Sequence, residues 1–368
     1  MQNFDIIREV NPTQSFRLAS VMGHYDIQST HITERFTGKI DLPDKWKIGL
    51  IVGNSGTGKT TIAKELFGAN VITSFDYTHD NILDDMPSNA NVNDITMALS
   101  SVGFASPTSW LKPYAVLSNG EKMRCDLARA LLEQREMIVF DEFTSVVDRN
   151  VAKISSLAIN KFINRGGVKM KFVAVSCHED ITEWLMPDWI FDTNTMTFSS
   201  NLENQKKKPN IRLDIFEIKS ADAKRRYWQI FRKYHYLNTE LNVAARVYIC
   251  FANGKIAAFS SWIVFPHPTL KNALREHRTV VLPDYQGVGI ATAFRDELAK
   301  RLNSEGKIIL TTTSNIAMIM AMKKNPKWKC TRIGRVGTTS GSGILHNKKN
   351  THKFSVARIT CAFRYVNS

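Results

Sequence analysis

The sequence predicts an α/β chain of two domains, a P-loop nucleotide-binding domain followed by a mixed-sheet α+β domain. A glycine-rich stretch at 53–60 lies between an apolar strand and a helix, and a second strand, glycine loop and helix recur near 280–302. Charge also divides between the halves. Residues 1–200 hold 19 Lys/Arg and 24 Asp/Glu, whereas residues 201–368 hold 30 and 10. A length of 368 residues suits two domains. The excess of cations in the second faces a polyanion, nucleic acid foremost; a solvated basic surface without a partner is the plain alternative.

The first glycine loop follows the strand Ile48-Gly49-Leu50-Ile51-Val52 and precedes a helical segment, Ile62 to Phe67. Gly53, Asn54, Ser55, Gly56, Thr57, Gly58, Lys59, Thr60 and Thr61 form a phosphate cradle, since glycines let backbone N–H groups curl toward a triphosphate. Lys59 can reach the β- and γ-phosphates, and the Thr60 hydroxyl can ligate Mg²⁺. Residues 1–45 read as strands and turns, with Tyr25 or Phe36 as aromatic candidates to stack on adenine. A short strand follows at Val71 to Phe75, then a polar, acidic stretch from Asp76 to Asp94. Leu117-Ser118-Asn119-Gly120-Glu121 precedes a helical pattern over 122–133. The apolar Met137-Ile138-Val139-Phe140 runs into Asp141-Glu142, placed to hold the Mg²⁺ shell and to polarise a water. Another apolar strand, Phe172 to Ser176, ends at Cys177-His178.

No apolar run reaches the ~18–20 residues that span a bilayer, and the N-terminus lacks the order of a signal peptide. The five cysteines are scattered with no CxxC pair. That suits reduced thiols in a cytoplasmic protein better than disulfides or zinc.

In this order the motifs resemble those of the ABC-type ATPases over about the first 195 residues. Gly53 to Thr60 is similar to Walker A, and Leu117 to Glu121 to the signature, with Asn119 and Glu121 where glycine and glutamine are commoner. Met137 to Glu142 is similar to Walker B, Ser145 to Asp148 to the D-loop, and His178 to the switch histidine. The resemblance implies ATP and Mg²⁺, with Glu142 and His178 catalytic and Thr60 and Asp141 as metal ligands. It also implies a homodimer whose heads sandwich ATP, Ser118 and Gly120 of one meeting the nucleotide held by the other. The family's Q-loop glutamine has no counterpart, and an acidic or Asn residue near 80–85 is the candidate substitute.

A polar segment, 199–210, reads as a linker between domains at 1–198 and 211–368. The second domain begins with a strand at 211–218, a helical pattern at 221–236 and two strands joined by Asn253-Gly254, a hairpin turn. The strand Arg278 to Pro283 then meets the loop Gln286, Gly287, Val288, Gly289, Ile290 and Ala291, and a helix from Thr292 to Leu302. This is a second pyrophosphate cradle. With a later strand and helix, the order resembles the GNAT acyltransferases over 210–366. That resemblance implies acetyl-CoA, its pyrophosphate on the 286–291 backbone, its pantetheine arm along Val281, and Asn315 beside the cofactor. The family's usual tyrosine acid is missing from 318–324. His235 and Tyr236 at the end of the first helix offer a base and an acid, although Tyr234 and Tyr236 as core residues and His235 as a helix cap explain the pattern equally well. Locally they are similar to the Mom-type phage DNA-modification proteins, which would add Ser314 to the site. Dense cations follow at Lys323, Lys324, Lys327, Lys329, Arg332 and Arg335.

Together these readings predict an ATP-dependent acetyltransferase acting on a nucleic-acid base, DNA ahead of RNA. Acetylation of tRNA, a ribosome or a protein lysine is one alternative. A non-catalytic, ATP-dependent DNA clamp or sensor is another, from a different class.

Overall fold

The computed structural model describes residues 2–27, 31–133, 135–164, 169–200, 211–235, 240–266, 269–335 and 359–366. The chain divides into two compact units, 1–76 with 133–209 and 77–132 with 210–368. Of the expected linker, Ser199 and Ser200 are strand, and 201–210 lie outside the described residues.

The first half of the chain begins with β1 (Gln2–Val10), α1 (Phe16–Tyr25), β2 (Ile32–Ile40) and β3 (Ile48–Val52). Next come α2 (Lys59–Phe67) and β4 (Val71–Ile72), then α3 (Val92–Ser101), α4 (Pro107–Trp110) and α5 (Asn119–Leu132) of the second unit. The chain returns to the first unit with β5 (Met137–Phe140), α6 (Arg149–Ile163), β6 (Lys171–Ser176), α7 (Ile181–Leu185), β7 (Trp189–Asp192) and β8 (Thr197–Ser200). The expectation of strands and turns alone before residue 45 is corrected by α1, which the Ser15 hydroxyl caps by accepting from Leu18 N–H at 3.2 Å. No residue of α1 is buried, although Leu18, Val21, Met22 and Tyr25 fall at helical spacing. The expected strand 71–75 is likewise only Val71–Ile72.

Strands β4, β5, β6, β3, β7 and β8 form one sheet in that order. All but β8 run parallel. Buried strands of a parallel sheet read as continuous apolar runs, and β3 is buried at every position. Val52 pairs with Ser176 and Phe140 with Ala174. The residues that follow β3, β5 and β6 therefore emerge at one carboxyl edge, where α/β sheets place their ligands.

In the second unit follow β9 (Leu213–Ile218), α8 (Ala221–Phe231), β10 (Arg246–Ala252), β11 (Lys255–Val264) and β12 (Ala273–Val281). After them come α9 (Ile290–Ser304), β13 (Ile308–Thr313), α10 (Ile316–Lys324), β14 (Trp328–Arg335) and β15 (Ile359–Tyr365). The sheet order is β14-β15-β13-β12-β11-β10-β9. Asn253 and Gly254 both have positive φ, 49° and 79°, as a two-residue hairpin turn requires. One face packs Trp228 and Phe231 of α8 on Val247, Ile249 and Phe259. The other face buries Phe294, Leu298 and Leu302 of α9 and Ile319 and Met322 of α10. The helix expected to reach Tyr236 ends at Phe231, and a 3₁₀ turn covers Arg232–Tyr234.

Two irregularities shape the middle of this sheet. Strands β12 and β13 pair in parallel only from Ala273↔Ile308 to Arg275↔Leu310, and beyond that the ladder ends. Against β11, Ser261 pairs with Arg278 and Trp262 with Glu276, which leaves His277 as the extra residue of a β-bulge. Bulges re-aim a side chain. This one lies where the two strands part.

Candidate functional site

In the first unit the chemistry gathers at the carboxyl edge. Gly56 and Gly58 have φ of 86° and 82°, a region open to glycine at little cost. At Gly58 a Cβ would also lie 2.5 Å from the Phe36 ring. Phe36 is itself 8% exposed, so it belongs to the core, and adenine stacking by Phe36 is corrected on that ground. Lys59 is buried, and its ammonium folds back to donate to Asn54 O at 2.6 Å. Asn54 N–H donates to Asn194 Oδ1 at 2.9 Å, and Thr57 and Thr193 hydroxyls lie 2.5 Å apart. Thr193 and Asn194 thus brace the loop from a distant turn that carries no motif.

The Thr60 hydroxyl donates to Asp141 Oδ2 at 2.9 Å, across 81 residues of sequence. A hydroxyl and a carboxylate oxygen side by side are the hard donors Mg²⁺ takes, so the residues present fit that ion. Glu142 N–H donates to Asp141 Oδ1 at 3.0 Å. Glu142 leaves the strand with φ 51° and is exposed beside the buried Asp141. Asp148 caps α6, accepting from Asn150 N–H at 2.8 Å. His178 is half-buried, its N–H donating to Ser176 Oγ at 3.2 Å.

The signature-like segment lies in the second unit. Ser118 and Glu121 form a capping box at the start of α5, Glu121 Oε2 accepting from Ser118 N–H and Oγ at 3.0 Å each. That is the physical reason a glutamate suits this position. Its other oxygen accepts from Ser109 Oγ at 2.9 Å. Burial alone would raise the Glu121 carboxyl, but hydrogen bonds from Ser118 and Ser109 and the field of Arg124 hold it below the usual carboxylate range. Of the stretch considered as a Q-loop substitute, Asp85 is committed to a turn, accepting from Thr78 N–H at 2.9 Å and lying 2.8 Å from His79 Nδ1.

Beyond their short ladder, β12 and β13 frame a cavity of about 160 Å³. Its walls include His235, Glu276, His277, Gln286, Asn315 and, from the helical segment 77–132, Ala105 and Pro107. Gly287 and Gly289, with φ of 88° and 100°, lead into the N-terminus of α9, and that geometry fits a pyrophosphate. The Gln286 carboxamide is fully engaged. Its oxygen accepts from Ala105 N–H at 2.6 Å, and its Nε2 donates to Val281 O at 2.8 Å and Ser106 Oγ at 3.2 Å. Asn315 caps α10, its Oδ1 accepting from Met318 N–H at 3.0 Å. Ser314 lines an adjoining pocket that shares Pro107 and Asn315. His235 is extended and half-buried, its ring edge-on to Trp228 at 5.9 Å. Tyr236 lies outside the described residues.

Two residues of β12 carry signals that sequence reasoning missed. Glu276 is buried and paired with Arg295 at 3.0 Å, and its oxygens also accept from the hydroxyls of Thr279 and Thr311. Burial would raise its carboxyl, but Arg295 and the two threonines keep it below the usual range. With three donors in place, Arg295 Nε–H and the two threonine hydroxyls, it is no proton acceptor. It ties β12 to β13 where the ladder ends. His277, in the bulge, titrates at about 4, first through burial and then through Arg278 and Arg275. Arg278 Nη1 lies 3.5 Å from its Nδ1, so Nδ1 accepts and the proton of the neutral ring sits on Nε2. That Nε2 is buried without a hydrogen-bond partner.

Residues 210–324 match the family model described as Acetyltransferase (GNAT) family. The second half of this chain carries a GNAT acetyltransferase domain. The first half resembles the ABC-type ATP-binding proteins. Part of the chain is 29% identical over 157 residues to the methionine import ATP-binding protein MetN of Rhodospirillum rubrum, covering 31% of this chain and 44% of that protein. The chain thus spans less than half of that curated relative. Among solved structures, the dimeric ADP- and phosphate-bound ATP-binding cassette MJ0796 is 14% identical at a TM-score of 0.35, covering 43% of this chain and 87% of that one. The ribosomal-protein-S18-alanine N-acetyltransferase of Escherichia coli is 16% identical at a TM-score of 0.31, covering 42% and 93%. No helix among the described residues is long and apolar enough to cross a membrane.

Proposed function

We propose that this protein is an ATP-gated acetyltransferase that modifies an amino group on a nucleic-acid base, DNA foremost. The observation that carries the choice of substrate is the basic edge of the GNAT sheet. Lys323 and Lys324 on α10, Lys327 in the turn after it, and Lys329 and Arg332 on β14, the strand at the edge of the sheet, are all exposed. The same helix begins at Asn315 and Met318, which line the cavity. A phosphate backbone held on those cations would present a base to the cavity mouth.

At the cavity the acceptor nitrogen attacks the thioester carbonyl, its C–N bond forms, the C–S bond breaks and the thiolate leaves. His277 Nε2–H is a neutral donor for the carbonyl oxygen as negative charge develops there. His235 accepts the proton the acceptor nitrogen loses, and Tyr236 remains the proposed donor to the thiolate. At the other end, Lys59 and the 53–58 backbone hold the ATP phosphates, Glu142 and His178 orient the attacking water, and two heads close over the nucleotides. Bound Mg²⁺, held by Thr60 and Asp141, supplies the charge that neutralises those phosphates.

Mass spectrometry of nucleosides tests the reading. Duplex DNA and bulk tRNA are each incubated with protein, ATP-Mg²⁺ and acetyl-CoA, with Lys59→Ala and His235→Ala as controls. An acetylated deoxynucleoside that is lost in both variants is the expected result. An acetylated ribonucleoside moves the substrate to RNA. No adduct on either, with acetyl-CoA binding intact, overturns the base-modification reading.

A further inference from the structure

The helical segment 77–132 belongs by sequence to the ATP-binding half, yet it packs in one unit with the GNAT sheet. Its loop at 103–106 lies directly on the acetyl-CoA loop. Gly103 has φ 87°, and a Cβ there would lie 2.7 Å from Gln286 O, so only glycine permits this approach. Ala105 N–H and Ser106 Oγ grip the Gln286 carboxamide at 2.6 and 3.2 Å. On α5, Arg124, 1% exposed, pairs with Asp284 at 3.7 Å.

The signature serine and this grip are joined by an unbroken chain of hydrogen bonds. Ser118 Oγ donates to Glu121 Oε2 at 3.0 Å, and Ser109 Oγ donates to Glu121 Oε1 at 2.9 Å. Ser109 N–H donates to Ser106 O at 2.9 Å, and Ser106 Oγ accepts from Gln286 Nε2 at 3.2 Å. A capping box alone explains the Ser118 end. It does not explain the second Glu121 oxygen, which reaches out of α5 to α4. Ser106 and Ser109 are 1% and 3% exposed, so water cannot replace a link that opens, and buried polar groups are costly to leave unpaired. Trp110 Nε1–H donates to Phe104 O at 2.9 Å, which ties the loop to α4 as one piece.

We infer that Ala105 and Pro107 form a wall of the acetyl-CoA site, and that Glu121, Ser109 and Gln286, of which Ser109 lies behind that wall, are positioning residues that make acetyl-CoA affinity respond to nucleotide at Ser118. The inference rests on the proposed function in two respects: Ser118 meets a nucleotide phosphate, and the 286–291 loop holds acetyl-CoA. A phosphate at Ser118 competes with Glu121 for the serine hydroxyl. The carboxylate then shifts its share of bonding toward Ser109, and the Ser106–Gln286 hydrogen bond moves with α4. Coupling of this kind is reciprocal, so acetyl-CoA also changes nucleotide affinity.

Calorimetric titration of acetyl-CoA into the full chain, with and without the non-hydrolysed analogue AMP-PNP and Mg²⁺, tests it. The wild-type Kd is expected to shift about fivefold or more with AMP-PNP, within the usual range for coupled sites. Ser109→Ala should bind each ligand alone within about twofold of wild type, while the shift between them disappears; Ser109→Thr, which keeps the hydroxyl, should restore it. Hydrogen exchange at 284–291 should respond to AMP-PNP in wild type and not in Ser109→Ala. Equal acetyl-CoA affinity with and without AMP-PNP, both ligands binding, overturns the coupling and leaves the acetyltransferase reading standing. A shift that survives in Ser109→Ala overturns the path. Failure of acetyl-CoA to bind at all overturns the acetyl-CoA site and the inference with it.

Discussion

Arg295→Met should destabilise the second unit by about 3–5 kcal/mol, because it leaves the Glu276 carboxylate buried and unpaired. The two side chains are 3% and 6% exposed at 3.0 Å, so solvent screening offers little relief. The Thr279 and Thr311 hydroxyls remain as donors to Glu276, which keeps the loss from exceeding that range. A double variant, Glu276→Leu with Arg295→Met, removes the stranded charge and should recover at least half of the loss, since apolar replacement of buried pairs is often near neutral. The pH dependence has a fixed sign. In wild type the Glu276 carboxyl lies below its unfolded value, so its contribution is present above the ordinary glutamate pKa and is lost as pH falls through the folded value. In Arg295→Met the two threonine hydroxyls still lower it, but burial, the largest influence on it, raises it with no cation left to oppose it, so that variant should gain stability as the pH is lowered from 8 toward 5. Urea unfolding followed by tryptophan fluorescence measures both effects. A loss under 1 kcal/mol, or a wild-type-like pH slope in Arg295→Met, would refute the reasoning.

Other outcomes follow from the same geometry. His277→Leu should lower the rate of acetyl transfer by about 10²-fold, the scale of a lost oxyanion donor, with acetyl-CoA affinity nearly unchanged; a change confined to KM refutes the donor role. Because His277 is already neutral above pH of about 4, its titration should leave no inflection between pH 5 and 9, although His235, Tyr234, Arg275 and Arg278 lie around it; rate–pH profiles of wild type and His277→Leu compare directly. Asp141→Ala should abolish the Mg²⁺ dependence of ATP affinity, read by titrating ATP with and without the metal, because it removes the carboxylate beside Thr60. Replacing Lys327, Lys329 and Arg332 by Gln should weaken duplex binding and reduce its salt slope by about 0.9 for each phosphate no longer neutralised; an unchanged slope assigns those cations to solvent.

Much of this was legible because strong local chemistry marks it. The Gly56 and Gly58 loop, the apolar β5 running into Asp141, and the Gln286–Ala291 loop each couple a backbone demand to a ligand, and the structure places each at the end of a strand and the start of a helix or turn. Helix α1 was missed although Leu18, Val21, Met22 and Tyr25 follow the Ser15 cap at helical spacing, because its apolar face is short and stays unburied. The bulge at His277 was hidden for a different reason. A bulge adds one residue without altering composition, and the run Ala273 to Val281 reads as strand with or without it. Ser109 and Ser106 carry no motif at all. Their partners stand 12 and 180 residues away, and only the folded chain brings them together.

The chain crosses between units at 76–77 and returns at 132–133, and this sets an order of events during synthesis. Helices α3 to α5 emerge early, but the elements they pack on, α10 and the loop with Gln286 opposite Gly103, are made last. At roughly 5–20 residues per second, the insertion waits on the order of ten to fifty seconds for its partner. A gene cut at the polar segment near 201–210 would therefore yield a nucleotide-binding fragment with an orphaned helical arm and a catalytic fragment missing one wall. Coexpressed, the two pieces should seek each other through that arm, as split reporters do.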